Sequence, residues 1–266
     1  MDPTILRYHG MSTRPKVYVL GDSISIHYGP FLREHLRGVM DYARKEGEDE
    51  ALLNLDNPTG ANGGDSARVL AFLQAKARAG GIDADVLLVN CGLHDIRTDP
   101  QTRTEQVTPE HYAENLRAII ATVAPMRPRL VWVRSTPCDE AVHNSRPVGF
   151  LRYRADLDAY NAIADAIMRA AGVPILDLHT FTSNLGDDLF CDHVHFHEPI
   201  REKQAAFIAG WLAGNFSQSN ASHQGASLRL FSAARGWPRR GFTESPRPAT
   251  HGSDTPPSVS QLAPRG

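Results

Sequence analysis

Short apolar runs rich in β-formers alternate with amphipathic stretches from residue 16 to about residue 214, and this alternation narrows the possible folds most sharply. Segments 16–20, 51–55, 86–90, 130–134 and 174–177 read as five strands. Between them, segments 29–46, 65–80, 108–123, 153–167 and 199–214 carry apolar residues at helical spacing, as in Tyr112, Leu116, Ile119, Ile120 and Val123. Tyr153, Leu157, Tyr160, Ala164 and Ile167 repeat the pattern. Thr108 is a candidate N-cap, with Pro109 at the first helical position. Strands that alternate with helices imply a parallel sheet covered on both faces, a three-layer α/β/α arrangement.

Composition separates a body from a tail. The 266 residues are 41% hydrophobic, ample for a sizeable core. From Ser217 onward the chain has six Arg, no Lys, two acidic residues and six of its 18 Pro, without apolar periodicity. That leaves 22 basic against 28 acidic residues in 1–216, an acidic body unsuited to nucleic acid. The expected organisation is an N-terminal extension (1–15), one domain (16–216) and a disordered tail (217–266), whose isolated aromatics include Trp237 and Phe242. Cys91, Cys138 and Cys191 are odd in number and form no Cys-x-x-Cys pair, so neither a disulfide framework nor a zinc ribbon is indicated. No secretory signal and no apolar stretch long enough to span a bilayer is read from the chain, and a cytoplasmic protein is expected. Oligomeric state has no sequence signature here.

In such sheets, ligands bind outside the carboxyl ends of the strands. Three polar, glycine-bearing segments fall there: Gly21-Asp22-Ser23, Gly60 to Ser66, and Gly92-Leu93-His94-Asp95. A serine on the turn after a first strand, with a late Asp192-His193-Val194-His195, supplies the groups of a Ser-His-Asp nucleophilic site. Ser23 could equally be a turn serine, or cap a helix beginning near Pro30. His193, His195 and His197 alternate beside Cys191 and Asp192, and in a strand would share one face able to hold zinc. That reading ranks below the triad because it leaves the other loops without a role. The glycine pattern of 60–64 suits a turn or a phosphate loop, but fits neither the dinucleotide fingerprint nor the P-loop.

With these residues in view, the chain resembles the SGNH (GDSL-type) hydrolases over roughly 16–214. Gly21-Asp22-Ser23-Ile24-Ser25, Gly63-Gly64-Asp65-Ser66, Asn90 to Asp95 and Asp192 to Phe196 correspond to its four sequence blocks. The resemblance implies a flavodoxin-like topology with a five-stranded parallel sheet. It also implies Ser23 as nucleophile, His195 and Asp192 as triad partners, and Gly64 as an oxyanion-hole glycine. The third block usually reads Gly-x-Asn-Asp, and its Asn donates to the oxyanion; here the position is His94, as in a bacterial subgroup reading Gly-Leu-His-Asp. A neutral imidazole keeps one N–H and can donate. The expected oxyanion donors are therefore the Ser23 N–H, the Gly64 N–H and His94, with packing or helix capping as the alternative for His94.

Asp22, Asp95, Arg97 and His143 are the further residues expected to contact substrate. Segment 136–152, with His143, Arg146 and Phe150, is expected to be a loop over the same rim. The function expected is an esterase acting on an O-acyl ester, with a short acyl group on a polar or carbohydrate carrier, and with no metal or cofactor. Alternatives are a lysophospholipase- or thioesterase-like acylhydrolase, an acyltransferase, or a non-catalytic carbohydrate- or partner-binding module. The partner is a small-molecule ester.

Overall fold

The computed structural model describes residues 14–146 and 149–216, and the expected tail lies outside the described residues. Strand β1 (Lys16–Leu20) buries Val17, Val19 and Leu20, and β3 (Val86–Val89) buries all four of its residues. With β2 (Asp41–Arg44), β4 (Arg129–Val133) and β5 (Ile175–Leu176) they form one sheet in the order β2-β1-β3-β4-β5. Every pairing is parallel, with Val17 opposite both Tyr42 and Val86, Val89 opposite Trp132, and Val133 opposite Leu176. The sheet and its two helical layers match the expected α/β class.

Among the described residues, eight helices lie between or after the strands: α1 (Ser23–His35), α2 (Glu48–Leu53), α3 (Ser66–Arg78), α4 (Pro109–Val123), α5 (Glu140–Asn144), α6 (Arg154–Ala170), α7 (Leu178–Ser183) and α8 (Glu198–Phe216). Helix α1 packs on α8, while α3 packs on α4 and α4 on α6. Because β1 leads to β2 on one side and β3 leads to β4 on the other, right-handed crossovers put these groups on opposite faces. The reversal opens a crevice beyond the carboxyl ends of β1 and β3. Helix α4 starts as its sequence indicates: Thr108 caps it, accepting from the His111 N–H at 3.4 Å, and Pro109 follows. No described helix is long and apolar enough to cross a membrane.

Three expectations about elements are corrected. The second strand is 41–44, inside the stretch read as helix 29–46, and residues 51–53 belong to α2. The apolar run there misleads because Leu52 and Leu53 are exposed and only Ala51 is buried. The true edge strand hides its role because Arg44 is buried, donating to the Ser25 carbonyl and hydroxyl at 3.0 and 3.2 Å. Helix α1 begins at Ser23, not near Pro30, which lies inside it. Segment 136–152 is not a plain loop, since it contains α5.

Candidate active site

The turn after β1 sets the geometry. Asp22 is the N-cap of α1, accepting from the Ile24 N–H at 3.0 Å. Ser23 thereby becomes the first helical residue, where a backbone N–H has no acceptor within its own helix. Its Oγ lies 2.8 Å from His195 Nε2, across 172 residues of chain. His195 Nδ1 lies 2.7 Å from Asp192 Oδ2. The other carboxylate oxygen of Asp192 accepts the N–H groups of Val194 and His195, both at 2.8 Å. With Nδ1 donating to Asp192, Nε2 is left as the acceptor for the serine hydroxyl.

The spacing of Asp192 and His195 works because residues 190–196 form a tight turn, not a strand. Cys191 N–H donates to the His195 carbonyl at 2.9 Å, and Phe190 bridges Phe196. Burial acts to raise the Asp192 carboxyl, but the hydrogen bonds from the His195 ring and the two backbone N–H groups outweigh it. Asp192 is held well below the ordinary carboxylate range. The alternating histidines do not share a face. His193 turns inward to His143, with 2.6 Å between their Nδ1 atoms, while His197 faces Asp188 at 3.4 Å. Among the described residues, no group of three or more His, Cys, Asp or Glu is arranged to hold a metal ion.

The second loop is tied to the first: Gly63 N–H donates to the Gly21 carbonyl at 2.8 Å. Gly64 has φ +70°, where a Cβ would stand 2.9 Å from that of Pro58. Its N–H already donates to Asn62 Oδ1 at 3.0 Å. His94 is 2% exposed, and its Nδ1 is enclosed without a hydrogen-bond partner. Burial first, then the neighbouring Arg97 and Arg152, push its pKa well below the usual histidine value, so the ring is neutral.

The remaining expected contacts lie in the scaffold. Asp22, Asp95 and His143 are buried, at 1%, 0% and 0% exposure, and each makes a bond within the scaffold. Asp95 Oδ1 accepts the Ser66 N–H at 2.9 Å and joins the third block to the start of α3. His143 joins α5 to the 190–196 turn through His193. Arg97 is half-buried; it donates to the Asp56 carbonyl at 2.5 Å and lies 4.5 Å from the Phe150 ring centroid.

Sequence reasoning missed three neighbours. His27 follows Ser23 by four residues on α1, and its ring lies 5.0 Å from that of His195. Burial and then Arg201 lower its pKa to about 3. Helical spacing alone could have found it. Asn62, which occupies the Gly64 N–H, and Arg152, buried and bonded to the Leu93 carbonyl, have no local signal.

The sequence signature described as the GDSL-like lipase/acylhydrolase family matches residues 19–199. No curated protein matches the chain in sequence. Among solved structures, the lipase/acylhydrolase from Enterococcus faecalis is similar with a TM-score of 0.58 at 15% identity, covering 75% of this chain and 96% of that one. The M. smegmatis aryl esterase gives a TM-score of 0.51 at 14% identity, covering 75% and 99%. Est24, a carbohydrate acetylesterase from Sinorhizobium meliloti, gives 0.50 at 14%, covering 76% and 100%. At such identities, these likenesses establish the fold.

Proposed function

From the premise that this chain belongs to the GDSL-like lipase/acylhydrolase family and is a hydrolase acting on esters, we propose that it is a serine esterase using Ser23, His195 and Asp192. The observation that carries the reading is the 2.8 Å contact between Ser23 Oγ and His195 Nε2. Ser23 Oγ attacks the acyl carbonyl while His195 Nε2 takes the hydroxyl proton. His195 then returns that proton to the departing alkoxide, leaving an acyl-serine. Water, deprotonated by the same nitrogen, releases the acid and restores the serine.

The tetrahedral oxyanion sits against the Ser23 N–H, the Gly64 N–H and the His94 ring. With Nδ1 enclosed and unpartnered, Nε2 is the His94 nitrogen left to donate. The Gly64 N–H becomes available as it exchanges Asn62 Oδ1 for the oxyanion. The Ser23 N–H, fixed by the helix start before the charge develops, lowers the barrier without reorganisation, whereas the Gly64 N–H gives up its Asn62 bond to take part.

A short acyl group on a polar or carbohydrate carrier fits the rim best. A cleft of about 330 Å³ beside the third block is lined mainly by polar residues, Arg97, Asp99, Thr102, Thr104, Glu105 and Gln106, together with Gly149 and Phe150. Gln106 touches the oxyanion loop, donating to Asp65 at 2.6 Å. Mixed donors and acceptors of this kind suit hydroxyl-rich alcohols and not a long alkyl chain. The larger apolar groove, about 420 Å³ between α4 and α6, is lined by the later part of each helix, toward the opposite end of the sheet. It holds none of the candidate groups. The test combines fluorophosphonate labelling of Ser23 with turnover of 4-nitrophenyl acetate, decanoate and a mono-acetylated methyl glycoside. Labelling together with preference for the acetyl esters is expected. An unlabelled Ser23 in folded protein would overturn the mechanism, and preference for decanoate would overturn the substrate class.

A further inference from the structure

Arg152 is a buried cation that the mechanism above does not use. It is 2% exposed. Its Nε donates to the Leu93 carbonyl at 2.9 Å, immediately before His94, and its Nη1 is enclosed with no acceptor. Among the described residues no carboxylate pairs with it within 4.0 Å. A second guanidinium, Arg97, stands on the same aromatic ring: the Cζ atoms of Arg97 and Arg152 lie 4.5 and 5.0 Å from the Phe150 centroid. Arg97 Nε is also enclosed without an acceptor. Two like charges are thus gathered where burial penalises each, and burial followed by Arg97 lowers the Arg152 pKa to about 10. For stability alone an apolar side chain of the same length would serve better. Unpaired buried groups of this kind call for an explanation.

The backbone shows that the placement is held firmly. Arg152 N–H donates to Asn144 Oδ1 at 3.0 Å, and Asn144 Nδ2 donates back to the Arg152 carbonyl at 2.9 Å. One residue earlier, Leu151 exchanges two backbone bonds of 2.8 Å with Thr98, just after the third block. The segment containing α5 is therefore clamped beside the third block, and its end delivers the guanidinium to the Leu93 carbonyl.

We infer that Arg152 is a positioning residue for His94: it fixes the Leu93 carbonyl, immediately before His94, and holds a permanent positive charge in its neighbourhood. The charge repels a second proton from the ring and so keeps it the neutral donor that the transition state requires. This rests on the reading of His94 as an oxyanion donor.

The test is a double-mutant cycle with Arg152→Met, Arg152→Lys and His94→Ala, measured as kcat and KM on 4-nitrophenyl acetate per fluorophosphonate-titrated site. Arg152→Met should lower kcat at least tenfold with KM within twofold of wild type. Arg152→Lys, which keeps the charge, should recover at least a third of the wild-type kcat. In the His94→Ala background, Arg152→Met should cost less than a further twofold, because the two act as a unit. Unchanged kcat in Arg152→Met, or effects that multiply fully in the double variant, would overturn the inference. If Arg152→Met does not fold, the cycle is run with Arg152→Lys, whose effect must likewise vanish without His94. A normal kcat in His94→Ala would instead overturn the reading of His94, and a wild-type protein without esterase activity would overturn the proposed function.

Discussion

Asp95 makes stability depend on pH in a way that one substitution isolates. The residue is 0% exposed, with Oδ1 accepting from Ser66 and Oδ2 enclosed without a partner. Burial raises its pKa from 3.8 to about 7, against the hydrogen bonds from Ser66 and with a further push from Asp65. The unfolded chain gives up this proton near pH 4, while the fold keeps it until about pH 7. The stability contributed by the raised pKa is therefore present in full below pH 4 and is lost as pH rises to 7. About three pKa units at roughly 1.4 kcal/mol each give a loss on the order of 4 kcal/mol. Asp95→Asn removes the titration and can keep the Ser66 bond through its own Oδ1. Its Nδ2 has no acceptor where Oδ2 stood, a pH-independent cost of about 1–3 kcal/mol. The variant should be the less stable protein at pH 4 and gain steadily on wild type up to pH 8. Urea unfolding of both proteins at unit pH intervals measures the difference. The opposite slope contributed by His27, whose lowered pKa costs stability as pH falls below 6.5, is common to both and cancels. A difference that stays flat between pH 4 and 7 would refute the reasoning.

Three further outcomes are expected. Ser23→Ala and His195→Ala should each remove most esterase activity, Asp192→Asn should leave a measurable residue, and the double variants should lose little beyond the worst single; kinetics on purified proteins decide this. His94→Ala and His94→Phe should lower kcat about a hundredfold or more with a small change in KM, and His94→Asn should keep much of the activity. A wild-type kcat in His94→Phe would make the ring a packing element. Gly64→Ala forces a Cβ into the left-handed region at φ +70° and against Pro58, so it should lower both kcat and Tm. An unchanged kcat would remove Gly64 from the oxyanion hole.

What could be read from the sequence follows from the range of the interactions that hold each feature. The central strands were legible because burial on both faces makes 86–89 a continuous apolar run. The edge strand 41–44 was not, because its inward residue is Arg44, satisfied by Ser25 nineteen positions away. Helix α2 took its place in the reading because Leu52 and Leu53 look like core and are exposed. The same division runs through the candidate site. Asp192 and His195 meet within one turn, and Ser23 follows its own cap residue, so short motifs carry them. The surroundings that set the character of His94 come from farther off: Arg152 reaches Leu93 across 59 residues, and Asn62 is matched to Gly64 only once the loop is folded. Asp95 and His143 read as substrate contacts because their motifs lie on the rim; that they also lock the loops together, through Ser66 and His193, has no local signal. Polar residues beside a nucleophile thus divide into those that face the substrate and those that hold the loops in register, a distinction that depends on burial. It follows that changes in segment 137–152, which contains no triad residue, can alter turnover by moving Arg152 while leaving every sequence block intact.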